Sequence, residues 1–164
     1  MSQYRYVLSQ IAQAVGMIIL LMNTPLSAQP TQQEHVHQRG PQVMPFALAK
    51  TLHFFKMTEQ GGVMRVVARE ASDTDQIKHI QQHLQQEAAR FQNGNYSDPA
   101  TLHGADMPGL KELQEGASRL KIAYTALPTG AEITFETADL QLLTAVHRWF
   151  GAQLSEHGAD AKPE

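Results

Sequence analysis

The sequence predicts an α+β fold built from two hairpin–helix units, which form one antiparallel sheet with two long helices packed on one face. Three observations support this prediction. Two pairs of short segments rich in β-branched and aromatic residues flank glycine-containing turns, as β-hairpins do. Two longer segments repeat apolar residues at three- and four-residue spacing, as amphipathic helices do. The order along the chain is hairpin, helix, loop, hairpin, helix.

The first hairpin is predicted between Thr51 and Arg69. Its first segment, Thr51 to Thr58 (TLHFFKMT), is rich in aromatic residues, and its second, Val63 to Arg69 (VMRVVAR), favours extended structure through its valines. The residues between them, Glu59 to Gly62, end in two glycines and supply the turn.

A long helix is predicted from Asp73 to Gln92. One face of this segment is apolar, at positions Ile77, Ile80, Leu84, Ala88 and Phe91. Ser72 or Asp73 can accept hydrogen bonds from the amides of the first turn. Asn93 and Gly94 supply a left-handed stop.

The second half of the chain repeats this order after a loop from Asn95 to Gly109 and a short helix from Pro108 to Gly116. Leu120 to Leu127 and Glu132 to Glu136 alternate around a Pro-Thr-Gly turn and predict the second hairpin. The residues expected to face inward are Leu120, Ile122, Tyr124, Ile133 and Phe135.

Asp139 is positioned to cap a final helix that ends at His157, before Gly158. The core face of this helix is predicted to centre on Leu143, Phe150 and Leu154. His147 would then lie near that face, and His157 would lie on the same side in the last turn.

Residues 1–28 have the pattern of a cleavable export signal. Arg5 precedes an apolar run, Ile11 to Met22, and small residues then lead to a cleavage point after Ala28. Twelve helical residues span only about 18 Å, which is too short for a membrane anchor. We therefore expect a periplasmic or secreted protein that has no membrane association after cleavage.

The remaining chain divides into three predicted parts by its residue pattern. Residues 29–46 are predicted to be a flexible lead-in, because the polar stretch at their start lacks a periodic apolar pattern. Residues 47–158 are predicted to form a single α+β domain, and residues 159–164 a disordered tail.

Composition excludes several functional classes. Removing Arg5 from the 13 basic residues leaves 12 against 16 acidic ones, a formal charge of −4, so nucleic acid is not an expected partner. The sequence has no cysteine, which excludes disulfides, thiolate metal sites and covalently attached c-type haem.

Histidine is the main chemical anomaly of the sequence, because all eight histidines lie after residue 28. Six of them form the predicted pool of metal or haem ligands: His35, His37, His53, His103, His147 and His157. The other two, His79 and His83, lie one helical turn apart among glutamines, and we interpret them as a solvated flank.

Two further residues are predicted to contribute to cofactor binding. Met107 adds a thioether near His103, a combination that suits copper or haem iron better than calcium or magnesium. Arg39 could pair with a haem propionate or a carboxylate of the site.

Enzyme signatures are mostly missing from the sequence, which favours a binding function over catalysis. It contains no nucleophile elbow, no H-E-x-x-H motif and no Walker loop. A small hydrolase that uses His103 with Asp98 or Asp106 ranks third, after a metal- or haem-binding protein and a structural or protein-interaction module.

Several short strings resemble a family of small exported bacterial proteins that are mostly uncharacterised. They are His35-Val-His37-Gln-Arg39-Gly40, Met44-Pro45-Phe46, Ser97-Asp98-Pro99-Ala100, His103-Gly104-Ala105-Asp106-Met107-Pro108-Gly109-Leu110 and His147-Arg148-Trp149-Phe150. The resemblance implies haem binding, which has been suggested for a similar protein. Some relatives carry an aspartate carbamoyltransferase label, which this chain contradicts, because it lacks both the length of two α/β domains and a Ser-Thr-Arg-Thr phosphate loop.

The sequence therefore predicts an exported binding protein that holds copper, zinc or haem iron through neutral imidazoles. Its affinity should fall below about pH 6, because protonated imidazole cannot ligate a metal. The alternative hypothesis is an envelope structural or protein-interaction module whose histidines only pack and form hydrogen bonds.

Overall fold

The computed structural model describes residues 31–164. The predicted export signal, residues 1–28, lies outside the described residues. In the part of the chain that is described, no helix is both long enough and apolar enough to cross a membrane.

In residues 31–164, five strands form one mixed sheet. They are β1 (Thr51–Thr58), β2 (Gly61–Ala68), β3 (Lys121–Leu127), β4 (Gly130–Glu136) and β5 (Ala161–Pro163). Their order across the sheet is β3-β4-β2-β1-β5. The two predicted hairpins, β1–β2 and β3–β4, join through antiparallel pairing of β2 with β4, and β5 pairs parallel to β1. The α+β prediction is confirmed, with one short parallel strand added.

Helices precede the first strand and connect the later ones. They are α1 (Gln32–Val43), α2 (Thr74–Gln92), α3 (Ser97–His103), α4 (Leu110–Glu115) and α5 (Leu140–His157). Short 3₁₀ turns occupy Leu48–Lys50, Ala117–Arg119 and Gly158–Asp160. Asp73 caps α2 by accepting from the amide of Gln76, and Asp139 caps α5 in the same manner. Both predicted N-caps are confirmed.

Both long helices pack on the same face of the sheet. Phe91 of α2 lies 6.0 Å, centroid to centroid, from Phe135 of β4. Phe150 of α5 lies 5.2 Å from Phe55 of β1 and 5.7 Å from Phe135. Trp149 is fully buried between these rings. The shared aromatic core therefore holds α2 and α5 against the same face of the sheet.

The predicted flexible lead-in, residues 29–46, is wrong for most of its length, because residues 32–43 form α1. Thr31 and Glu34 form a reciprocal capping box, in which each side chain accepts from the other residue's amide. Val36 is fully buried, and α1 packs against α3 and α5. The domain therefore extends N-terminal to its predicted start at residue 47.

The predicted disordered tail, residues 159–164, is also ordered. Ala161–Pro163 pairs with His53–Phe55 as β5. Asp160 is buried and accepts hydrogen bonds from His37 of α1 and Arg69 at the end of β2, each at 2.8 Å. One carboxylate thus joins the N-terminal helix, the sheet and the C-terminal strand.

The buried face of α5 differs from the predicted one by a small rotation. Leu142, Ala145, Trp149 and Gln153 are buried, whereas Leu143 and Leu154 are only partly so. The rotation keeps His157 on the buried side but moves His147 to the flank.

Candidate functional site

A small cavity lies between the sheet and the helices α2, α3 and α5. Its volume is about 60 Å³. Its polar lining consists of His53, His83, Glu87, Asp98, His103, Gln153 and His157. Since one water needs roughly 10–15 Å³ of such volume, the cavity has room for a few waters or a metal ion.

One wall of the cavity carries what we call the acid–imidazole triad, formed by His83, Glu87 and Asp98. One ligand atom from each residue lies within 4.8 Å of the others. His83 and Glu87 are one turn apart on α2, so both side chains project on the same side of the helix. Asp98 comes from the first turn of α3. The triad therefore depends on how α3 packs beside α2.

Burial controls the charge of this triad. Glu87 is only 4 % exposed, and burial together with the negative charge of Asp98 raises its pKa to about 7. Arg90 opposes that effect, because its Nη1 donates to Glu87 Oε1 at 2.8 Å and also to the carboxylate of Asp98. Burial lowers the pKa of His83 to about 4, so this ring is neutral at pH 7 and keeps a lone pair for a metal.

A second part of the cavity lining is what we call the imidazole cluster, formed by His53, His103 and His157. His53 points inward from β1, and the other two lie in the last turns of α3 and α5. The ring centroids of His53 and His157 are 4.7 Å apart, and those of His103 and His157 are 5.0 Å apart. Three of the six predicted ligand histidines, far apart in sequence, are therefore neighbours.

These three rings are held in the neutral form. Burial lowers the pKa of His53 to about 4, and burial together with the neighbouring imidazoles lowers that of His157. The pKa of His103 is also lowered by burial, although its hydrogen bond to Glu156 acts in the opposite direction. Lone pairs are therefore available on ring nitrogens at pH 7.

Two of these ring nitrogens have unmet hydrogen-bonding capacity. Nδ1 of His53 and Nδ1 of His157 are buried, and neither has a hydrogen-bond partner among residues 31–164. Leaving a buried polar atom unpaired costs about 1–3 kcal/mol. Two such atoms beside one small cavity indicate that the cavity is suited to a polar or cationic guest.

The imidazole cluster alone does not form a metal site. Of the ligating side chains in residues 31–164, only the acid–imidazole triad brings three donor atoms within 4.8 Å of one another. His53 and His157 stack with an angle of 24° between their planes. Because nitrogen lone pairs lie in the ring plane, two nearly parallel rings direct them side by side and not toward one point.

The remaining predicted site residues lie away from the cavity lining. His37 pairs with Asp160, and His35 is partly buried on α1. His147 Nε2 donates to the carbonyls of Thr58 and Gly61, at 3.0 and 2.9 Å. These contacts give His37 and His147 structural roles.

The two non-histidine candidates also lie outside the cavity lining. Arg39 is exposed on α1, where its charge contributes to lowering the pKa of His103. Met107 is 5 % exposed and belongs to the apolar core.

His83 was predicted to lie on a solvated flank, but it lines the cavity. The sequence does contain a signal that favours the site. His83 and Glu87 are spaced by four residues and border Leu84 and Ala88, which are on the apolar face of α2. A histidine and a glutamate one turn apart beside an apolar stripe could have been predicted to lie at the edge of the core.

Comparison of this chain with family models, curated proteins and solved structures gives no match. The family resemblance drawn from the sequence motifs therefore stays a prediction.

Proposed function

We propose that this protein is an exported binding protein for a divalent transition-metal ion, held by His83, Glu87 and Asp98. The observation that carries the proposal is the approach of three donor atoms to within 4.8 Å of one another on the wall of a cavity of about 60 Å³. The export part of the proposal is supported by the signal pattern in residues 1–28.

The donor set suits zinc or copper better than calcium or magnesium. Imidazole nitrogen favours transition metals, whereas magnesium and calcium favour shells made of oxygen alone. Zinc binds histidine nitrogen and carboxylate oxygen at about 2.0–2.2 Å, so two ligands of one ion lie roughly 3–4 Å apart. Small side-chain rotations would bring the three donors to that separation.

The imidazole cluster completes the environment of the ion. Neutral rings add no positive charge that would repel a cation. Water bound to the ion would offer hydrogen bonds to Nδ1 of His53 and His157, which otherwise stay unpaired within the described structure. His103 and Glu156 would act as an outer hydrogen-bonding layer of the kind that surrounds many metal sites.

A metal ion is a better guest than haem. The cavity volume of about 60 Å³ is far below the roughly 300–1,000 Å³ of pockets that take organic ligands. Arg39 and Met107, predicted as haem contacts, do not line the cavity. The proposal therefore retains the metal and leaves haem out.

Isothermal titration of the protein from residue 29 onward tests the proposal, with Zn²⁺, Cu²⁺ and Mg²⁺ as separate titrants. We expect saturable 1:1 binding of Zn²⁺ or Cu²⁺ and no binding of Mg²⁺. His83→Ala should weaken binding by about tenfold or more, since each 1.4 kcal/mol corresponds to one factor of ten. His79→Ala is the matched control, because His79 lies one turn earlier on α2 and does not line the cavity.

Two results would contradict the proposal. Equal weakening by His79→Ala and His83→Ala would place the ion on the surface of α2. If none of the three ions binds, the alternative interpretation is favoured, an interaction module whose histidines only pack in the core and form hydrogen bonds.

A further inference from the structure

We propose that Arg90 is an internal counter-cation, which occupies the carboxylates of the acid–imidazole triad when no metal ion is bound and exchanges with the ion. This inference rests on the proposed metal-binding function and specifies how that site is regulated.

The contacts of Arg90 place it on the same carboxylates that would hold the ion. Nη1 of Arg90 donates to Glu87 Oε1 at 2.8 Å and to Asp98 Oδ2. Arg90 follows Glu87 by three residues on α2, so its side chain reaches across to α3 from one turn further along. A single guanidinium nitrogen thus bridges two of the three proposed ligands.

Charge balance makes simultaneous occupation unfavourable. Above pH 7, where Glu87 is ionised, the two carboxylates and the guanidinium of Arg90 together have a formal charge of −1. If a divalent ion joined Arg90 at this partly buried site, the two carboxylates, the guanidinium and the ion would sum to +1. If the ion replaced Arg90, the carboxylates and the ion would sum to zero. Uncompensated charge in a low-dielectric interior is costly, so exchange is the favoured arrangement.

A surface groove provides Arg90 with a place to move. The groove has a volume of about 290 Å³ and lies between α2, α3 and the end of α1. His83 and Asp98 line both the groove and the inner cavity, and Arg90 lines the groove only. The groove is therefore an access route from solvent to His83 and Asp98.

Relative exposure supports the same movement. The Arg90 side chain is 41 % exposed, whereas that of Glu87 is 5 % exposed. Arg90 therefore approaches the carboxylates from the solvent side. It can rotate into the groove without disturbing the aromatic core beneath α2, while the carboxylates stay in place.

Metal affinity is then set by a competition, which titration of Arg90 variants measures. Arg90→Gln removes the competing charge, and we expect it to tighten Zn²⁺ binding about tenfold, the scale of a charge-assisted hydrogen bond. Arg90→Lys should tighten binding less than Arg90→Gln, because its ammonium keeps a positive charge that competes for the carboxylates. Arg148→Gln is the matched control, since Arg148 forms an exposed ion pair with Glu112 on another helix and should leave the affinity unchanged.

A second measurement separates competition from a merely structural role. Without metal, Arg90→Gln should unfold at lower urea concentration than the wild type, and saturating Zn²⁺ should remove most of that difference. If Arg90→Gln does not fold, the same measurements are made on Arg90→Lys, which retains a positive charge.

The outcomes distinguish this inference from the proposed function. If the wild type binds Zn²⁺ through His83 but the Arg90 variants bind equally or more weakly, the counter-cation inference is overturned and the metal site stands. If neither protein binds, both proposals are overturned.

Discussion

Glu156 Oε2 lies 2.7 Å from Nδ1 of His103, and this contact fixes the protonation of the ring. A carboxylate only accepts hydrogen bonds, so Nδ1 carries the proton and Nε2 of the neutral ring keeps its lone pair. The same oxygen accepts from Gln32 Nε2 at 2.9 Å. One carboxylate thereby joins α1, α3 and α5 beside the cavity.

Glu156→Gln should lower the pKa of His103 below its value in the wild type. The reason is that the carboxylate is the main group that stabilises the protonated ring against burial. NMR titration of the His103 ring measures this shift, with Glu112→Gln, on an exposed surface pair, as the control. A rise in the pKa of His103 would show that Glu156 does not act on the ring as described.

The free energy of unfolding should decrease as the pH falls from about 6.5 to about 4. His53 and His83 have pKa values lowered to about 4, so the folded protein resists protonation that the unfolded chain accepts. Their stabilisation is complete above pH 6.5 and is lost as the pH falls toward 4. For the buried His53, a change from 6.5 to about 4 corresponds to about 3 kcal/mol.

Glu87 acts with the opposite sign over part of this range. Its pKa is raised to about 7, so the folded protein binds this proton more tightly than the unfolded chain does. The contribution of Glu87 to the free energy of unfolding is therefore greatest below pH 4.5 and is lost as the pH rises through 7. Urea denaturation at pH 7.5, 5.5 and 4.5 measures the balance, and we expect a steeper loss of stability on acidification in Glu87→Gln. Constant stability across the three pH values would contradict the assignment of neutral buried histidines.

His147→Ala should destabilise the fold without affecting metal binding. The imidazole donates to two carbonyls at the turn of the first hairpin, Thr58 and Gly61. Their loss should cost about 1–2 kcal/mol, the scale of a hydrogen bond plus its unpaired acceptors. Urea denaturation and Zn²⁺ titration of the same sample measure both effects, and a loss of affinity would indicate that His147 is a ligand after all.

Gly109→Ala should be much more destabilising than Gly104→Ala. Both glycines have positive φ, at +83° and +105°, so each substitution carries backbone strain of about 1–3 kcal/mol. A Cβ at Gly109 would lie 2.2 Å from the carbonyl oxygen of Ala145, whereas a Cβ at Gly104 meets nothing within 4 Å. Thermal denaturation of both variants isolates the clash, and equal melting temperatures would mean that α4 does not approach α5 so closely.

The regular elements could be predicted because their local patterns agree with the tertiary structure. The apolar face of α2, from Ile77 to Phe91, is buried as its spacing predicts. The second hairpin has the expected inward pairs, Ile122 opposite Phe135 and Tyr124 opposite Ile133. In α2 and in the second hairpin, the apolar residues that identify the element in the sequence are also the residues that face the core.

The segments at both ends of the domain could not be predicted, because tertiary contacts stabilise them. Helix α1 buries Val36 within an otherwise polar sequence, and Gly40 and Pro41 near its end argue against a helix. β5 has three residues and depends on pairing with β1. Such short or polar elements carry little periodic signal of their own.

The candidate site was predicted in part. The sequence identified His53, His103 and His157 as candidates, but their approach depends on the packing of α3 and α5 against β1. His83 was assigned to solvent because its helical position is next to the predicted apolar face and not on it. Its partial burial comes from tertiary contacts, among them one with Phe46, whose ring centroid lies 5.5 Å from that of His83.

Anomalous diffraction from crystals of the protein grown with Zn²⁺ tests the central claim most directly. We predict one strong peak at the zinc edge, within about 2.0–2.2 Å of ligand atoms from His83, Glu87 and Asp98. In the same crystals, Arg90 should point into the groove. A peak bound only by surface residues, or no peak at the triad while Arg90 keeps both carboxylates, would contradict the account.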